Sequence, residues 1–370
     1  MVGKRDYALD NLRTLIIFLV VVLHASLCYM AYAPKWWYVL DPERSIVFTQ
    51  VVLVIDVPIM LIMFFLAGYF AYPSLVHRGS GAFLKDKLRR IGIPWVFGVL
   101  VLAPPTAYMI YYSRHSPMSL LTFWQTDFWG PAFQQSVYWY LGILMALFLV
   151  TAALYAANPR FAAWKSRPER PTWRLFTLFL LVMSATSILV GQLGYGLDQW
   201  THVYLFTFQP VRTPLYIGYF ALGLYAGQRQ WFQPNGYAPG GATWVGAAFL
   251  SGLIYLAARM APPHDLDPTL VKGLTIILFN LFCFASLLGS VALCRRYLAG
   301  GGGLLQLQAR NSYAVYYLHP LVLYPLAFIL VPLQWPIFVK FVIATAVTYL
   351  LSLAVGAGIL TRMPGLRRMF

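Results

Sequence analysis

The chain has 370 residues, of which 60% are hydrophobic and only 10% charged, with a formal net charge of +16. A soluble domain carries roughly 25% charged residues, so the composition excludes an ordinary globular protein and indicates a polytopic membrane protein. The positive charge lies between long apolar runs, where topology signals and anionic lipid headgroups account for it, and no nucleic-acid partner is expected.

The basic N-terminus leads into an apolar run longer than a signal-peptide core and without a small-x-small cleavage site, so it reads as a retained first helix. Apolar runs of spanning length fall at about 12–32, 46–72, 92–112, 136–157, 174–194, 212–228, 242–259, 270–293, 313–331 and 337–360. They predict an all-α, polytopic integral membrane protein with about ten transmembrane helices in a single domain spanning 1–370. One set of the intervening segments holds nineteen Lys and Arg, including Lys4, Arg5, Arg78 to Arg90, Arg160 to Arg174 and Arg362 to Arg368. The opposite set holds seven: Lys35, Arg44, Arg114, Arg212, Arg259, Lys272 and Lys340. Cytoplasmic loops carry the excess, which places both termini in the cytoplasm. The run Ala299 to Gly303, "AGGGG", reads as a flexible linker. Cys28, Cys283 and Cys294 lie in apolar segments without a CxxC pair, so neither a disulfide framework nor a zinc site is indicated.

Ionisable groups at bilayer depth are costly and face a cavity or a partner. In "LDNLRTLIIFLVVVLHASLCY", Arg13 and His24 are eleven residues apart. A helix turns about 100° per residue, so they fall within roughly 20° of each other, about 16 Å apart along the axis. Asp10, three residues before Arg13, is placed to orient its guanidinium. A fixed Arg at the cytoplasmic rim suits a phosphate, and a deeper His on the same face suits proton transfer. Asp56, in the second span, is expected at a depth similar to His24, and an Asp–His pair would fix the imidazole tautomer. His319, in the ninth span, is the remaining candidate. Each has a plainer explanation: a backbone hydrogen bond for either His, a structural ion pair for Asp56, a topology signal for Arg13. The basic stretch "FLKDKLRRIGIPW", with Arg89 and Arg90, serves equally as a positive-inside loop or as an attractor for an anionic ligand.

Several stretches, in order, resemble acyltransferase family 3, the integral-membrane acyltransferases. "RDYALDNLRTLIIFLVVVLHAS" is similar to the family's opening, with Arg13, ten residues and His24. "FFLAGYFAYPS" (Phe64 to Ser74) resembles its Phe-Phe-x-x-Ser-Gly-Tyr element, with Ala67 where many members have Ser. "KLRRIGIPW" (Lys87 to Trp95) resembles its basic stretch, "VYWYLGIL" (Val137 to Leu144) its Trp-Phe-Leu element, and "NSYAVYYLHPLVL" (Asn311 to Leu323) its late helix. The first helix and "GYFAY" look closest to the glucan-biosynthesis protein C-like branch. The resemblance implies transfer of an acetyl- or succinyl-type group from cytoplasmic acyl-CoA to a hydroxyl of an extracytoplasmic carbohydrate or glucan, at a bacterial inner membrane. No tightly bound cofactor is implied. His24 would be the general base, Asp56 or His319 would orient it or shuttle the proton, and Arg13 with Asp10, Arg89 and Arg90 would hold the CoA phosphates.

A proton-coupled transporter or flippase would use the same intramembrane His, Asp and Arg, and is the competing expectation. A soluble-type glycerolipid acyltransferase is disfavoured, because no His is followed by Asp five positions later. Outward aromatics such as "KWWYVL" fit an interfacial belt or sugar stacking.

Overall fold

The computed structural model describes residues 6–158, 168–263, 265–360 and 362. Lys4, Arg5, Arg160, Lys165, Arg167, Arg367 and Arg368 of the charge count lie outside them. The main helices are α1 (Tyr7–Leu27), α2 (Ile46–Lys87), α3 (Ala103–Tyr112), α4 (Leu120–Gln125), α5 (Trp139–Ala157) and α6 (Trp173–Gln192). They are followed by α7 (Thr213–Gln228), α8 (Gly241–Met260), α9 (Pro268–Tyr297), α10 (Gly303–Leu330) and α11 (Ile337–Val355). The strands β1 (Thr201–Val203) and β2 (Phe206–Phe208) form an antiparallel hairpin, with Thr201 opposite Phe208.

Eight helical stretches among the described residues are long and apolar enough to cross a membrane. The expected spans 46–72 and 92–112 both lie in the continuous stretch Ile46–Tyr112. Inside it Gly79 takes φ 73° and ψ 164°, a conformation open in practice only to glycine, which breaks the helix between the two expected spans. The expected span at 212–228 corresponds to α7, whose 16 residues are just short of the roughly 17 that cross a bilayer core. The first span ends five residues early, at Leu27, because Cys28 to Ser45 folds back on itself. There Asp41 N donates to Cys28 O (2.9 Å) and Ser45 N to Tyr29 O (2.9 Å).

The chain divides into two compact units, both assembled from separated stretches. The boundaries cut through α1, α2 and α5.

The first unit comprises Met1–Arg13, Asp56–Lys87 and Leu144–Gly301. Its α2 and α7 meet at backbone contact: a Cβ on Gly68 would collide with the Phe220 carbonyl, one on Gly223 with that of Phe65, and one on Gly227 with that of Tyr69. Small residues let membrane helices approach to backbone contact. Gly68 and Tyr69 of "FFLAGYFAYPS" are thus packing residues. Asp267 caps α9, its carboxylate accepting from Thr269 N (2.9 Å) and Leu270 N (3.1 Å) ahead of Pro268 at the first helical position. The glycine linker after α9 is tied down, Asn11 Nδ2 donating to Leu298 O (2.7 Å) and Gly300 O (3.1 Å).

The second unit comprises Thr14–Ile55, Leu88–Ile143 and Gly302–Phe370. Between α2 and α3 the helix widens into two π turns, Leu88–Gly92 and Gly98–Leu102. Pro94 has no N–H, so the Arg90 carbonyl four residues earlier loses its helical donor. The Tyr313 hydroxyl supplies one at 2.9 Å, and Tyr317, one turn on, donates to Pro94 O at 2.8 Å. These two bonds lash the tyrosines of "NSYAVYYLHPLVL" to "KLRRIGIPW" and fix the azimuth of α10.

Candidate functional site

In the second unit, α10 and the last turn of α1 bring His319 and His24 together, with ring centroids 5.0 Å apart and planes at 63°. Proline sets up the deeper ring. Pro320 removes the amide that would bond the Tyr316 carbonyl, and His319 Nδ1 takes that place at 2.8 Å. A carbonyl only accepts, so neutral His319 carries its proton on Nδ1 and a lone pair on Nε2. That Nε2 is buried without a hydrogen-bond partner, and the residue has no exposed surface.

His24 follows the same logic, its Nδ1 lying 2.7 Å from Val20 O. The tautomer is fixed by a backbone carbonyl rather than a carboxylate, and Nε2 again carries the lone pair. His24 is half-buried, the less enclosed of the two. Trp37 stands beside it at 5.7 Å and in turn contacts Tyr38 at 5.0 Å and Tyr324 at 5.7 Å. Tyr38 and Tyr324 stack at 4.1 Å. All three aromatics are buried.

Cys28, one residue past α1, donates to the His24 carbonyl at 3.7 Å. Burial pushes its thiol up to about 12, so it is protonated at neutral pH and is not an activated nucleophile. A groove of about 340 Å³ between α3 and α10 is bounded by Pro320, the residue after His319. Its polar wall residues Thr106 and Tyr108 spend their hydroxyls on Leu102 O and Met118 O, both at 2.7 Å, which leaves the lining apolar.

Asp56 has a different partner from the one expected. In the first unit its carboxylate lies 2.7 Å from Arg212 Nη1, and Arg212 also pairs with Asp198 and donates from Nε to Leu197 O at 3.1 Å. Asp198 is shared with Arg259 at 2.7 Å. The expected Asp56–His24 pair is therefore replaced by an Asp56–Arg212 ion pair, because a buried guanidinium claims the carboxylate. Burial works against the charge on Asp198, but Arg212 and Arg259 more than offset it and hold the carboxyl below its usual range.

The Asp10–Arg13 pairing is present at 3.7 Å, in the first unit. Arg89 and Arg90, in the second unit, are exposed on the first π turn. Sequence reasoning misses the buried pair Lys340–Asp41 (2.8 Å), counting Lys340 only as a loop charge. A lysine four residues into an apolar span is the signal that a carboxylate is needed. Among the described residues no group of three or more His, Cys, Asp or Glu is placed to hold a metal ion.

The family model described as an acyltransferase domain, that of acyltransferase family 3, matches residues 6–357. The chain belongs to this family. The relatives include the glucans biosynthesis protein C of Salmonella gallinarum, 23% identical over 235 residues that cover 60% of this chain and 59% of that protein. The protein of the same name from Shigella boydii is 29% identical over 112 residues, covering 30% and 28%. The matched part is about three-fifths of the length of the Salmonella relative. The chain is thus a polytopic all-α membrane protein of acyltransferase family 3.

Proposed function

We propose that this family member moves an acetyl- or succinyl-type acyl group from cytoplasmic acyl-CoA to a hydroxyl of an extracytoplasmic carbohydrate or glucan, at a bacterial inner membrane. The observation that carries the reading is the His24 ring, with Nδ1 anchored on Val20 O at 2.7 Å and its edge set 5.0 Å from buried His319. An imidazole held in this tautomer has Nε2 as its basic nitrogen.

In the reaction His24 Nε2 takes the proton of the acceptor hydroxyl as that oxygen attacks the thioester carbonyl. The carbon–sulfur bond breaks, and the departing thiolate takes the proton back from the His24 imidazolium. His319 is a positioning residue that packs edge-on behind His24. Arg13, oriented by Asp10 in the first unit, attracts the CoA phosphates, and the exposed Arg89 and Arg90 of the second unit are, independently, candidates for the same role. Asp56 acts through Arg212 as structure. The names of the glucans biosynthesis relatives support a glucan acceptor.

The test uses purified protein in lipid vesicles supplied with acetyl-CoA or succinyl-CoA together with periplasmic glucan as acceptor, and scored for free CoA thiol. Wild type is expected to release thiol, His24→Ala to lose about 10²- to 10⁴-fold in rate, and Arg13→Ala to raise KM. Absence of release with either donor would sink the reading.

A further inference from the structure

Trp37 stands beside His24 because the Cys28-to-Ser45 segment that carries it is fastened from two sides. Arg114, two residues past the end of α3, has no carboxylate partner among the described residues. Its guanidinium donates instead to three carbonyls: Nη1 to Ile110 O at 2.6 Å, and Nη2 to Lys35 O at 2.8 Å and Trp37 O at 3.0 Å. Neighbouring Ser113 donates to Tyr38 O at 2.9 Å. On the far side Lys340 of α11 reaches Asp41 at 2.8 Å and Val331 O at 3.2 Å, both charged side chains being about 4% exposed or less.

The two fasteners differ in kind. Removing Lys340 would leave a buried, uncompensated carboxylate, so it is bound up with folding. Arg114 is exposed and lies outside the membrane-spanning helices, and the groups it bonds are neutral backbone carbonyls, so removing it leaves no buried charge. Its planar fork suits two carbonyls on the same strand, and an ammonium does not reproduce that geometry. The arrangement costs conformational entropy for a long side chain and serves no ion pair. What it fixes is the Trp37 backbone, and with it the indole 5.7 Å from His24.

We infer that Arg114 is a positioning residue of the reaction, holding the Trp37 indole against His24 so that the acyl group goes to the acceptor hydroxyl and not to water. This rests on the acyltransferase reading. With the segment fastened, Trp37, Tyr38 and Tyr324 form a dry wall on one side of the base. With it loose, water reaches His24, gives it a proton and attacks the thioester through its oxygen; the carbon–sulfur bond breaks, and the products are a carboxylic acid and CoA thiol. The donor is consumed without transfer.

The experiment measures thiol release from acetyl-CoA and succinyl-CoA by protein in vesicles without any added acceptor, so that water alone can take the acyl group. Losing one charged hydrogen bond raises the detached population about tenfold. Acceptor-free release per folded molecule is therefore expected to rise about tenfold in Arg114→Gln, as much in Trp37→Ala, and less in Arg114→Lys, which keeps the charge and loses the fork. A merely structural Arg114 would lower the yield of folded protein and leave this rate unchanged, which would overturn the inference.

A second arm needs no substrate. The rate at which diethylpyrocarbonate modifies His24, read by mass spectrometry, should rise in Arg114→Gln and in Trp37→Ala. An unchanged rate overturns the positioning role. Faster modification without thiol release from any protein, wild type included, keeps the positioning role and overturns the acyl-CoA donor.

Discussion

Two buried polar clusters, one in each unit, look alike in the sequence and differ in the structure. Around Arg212 every charge has an opposite: Asp56 and Asp198 flank it, Arg259 completes Asp198, and Arg212 Nε finds the Leu197 carbonyl. Around His24 and His319 the backbone holds Nδ1 of each ring, and among the described residues His319 Nε2 is left without a hydrogen-bond partner. A network of paired full charges holds helices together, whereas imidazoles can still exchange a proton near neutral pH. The difference separates structure from chemistry more sharply than depth in the membrane does.

The largest effect comes from breaking the paired-charge cluster. Arg212→Met removes the guanidinium that pairs with Asp56 and leaves Asp198 with Arg259 alone, and breaking a buried pair costs about 3–5 kcal/mol. Both carboxylates retain some solvent contact, their side chains being 33% and 49% exposed, so the loss should fall toward the lower figure. Thermal unfolding in detergent would show it as a lower midpoint, partly restored by adding Asp56→Asn. Thiol release per folded molecule should survive; its disappearance would move this cluster from structure into the reaction.

Much of this contrast was legible in part. The apolar runs, the Arg13–His24 spacing and the Asp10–Arg13 pair follow from helix periodicity and are all found. The partner of Asp56 was not legible, because Arg212 lies 156 positions away and pairing over such a distance leaves no local pattern. The fold-back of Cys28 to Ser45 was hidden by its composition: "CYMAYAPKWWYVL" is apolar enough to continue the first span, and only Pro34 and the buried need of Asp41 mark the end. The role of Pro320 is visible in sequence once its missing amide is followed back four residues to Tyr316.

That proline gives a test in which activity and stability move in opposite directions. Pro320→Ala restores an N–H that competes with His319 Nδ1 for the Tyr316 carbonyl, freeing the ring that packs against His24. Losing about one hydrogen bond of positioning corresponds to roughly tenfold in rate. The helix itself should gain, since an interior proline costs helical hydrogen bonding. Thiol release should therefore fall while the melting temperature holds or rises. Parallel losses of both would show that Pro320 serves only packing.

The smallest effect sharpens the paired-charge side by pH. Arg212 and Arg259 hold the Asp198 carboxyl below its usual range, so its ionised form stabilises the folded state above the unfolded carboxylate pKa of about 3.9. That contribution is lost as pH falls through the lower, folded value. Asp198 is half-exposed, so Asp198→Asn should cost no more than about 1 kcal/mol at neutral pH. Melting curves of variant and wild type should differ at pH 7 and converge on acidification below about pH 4. The His24-dependent rate should not follow that titration, because nothing in the second unit carries this carboxylate. A variant whose deficit persisted at low pH would mean that Asp198 stabilises the fold through its shape and hydrogen bonds and not through its charge.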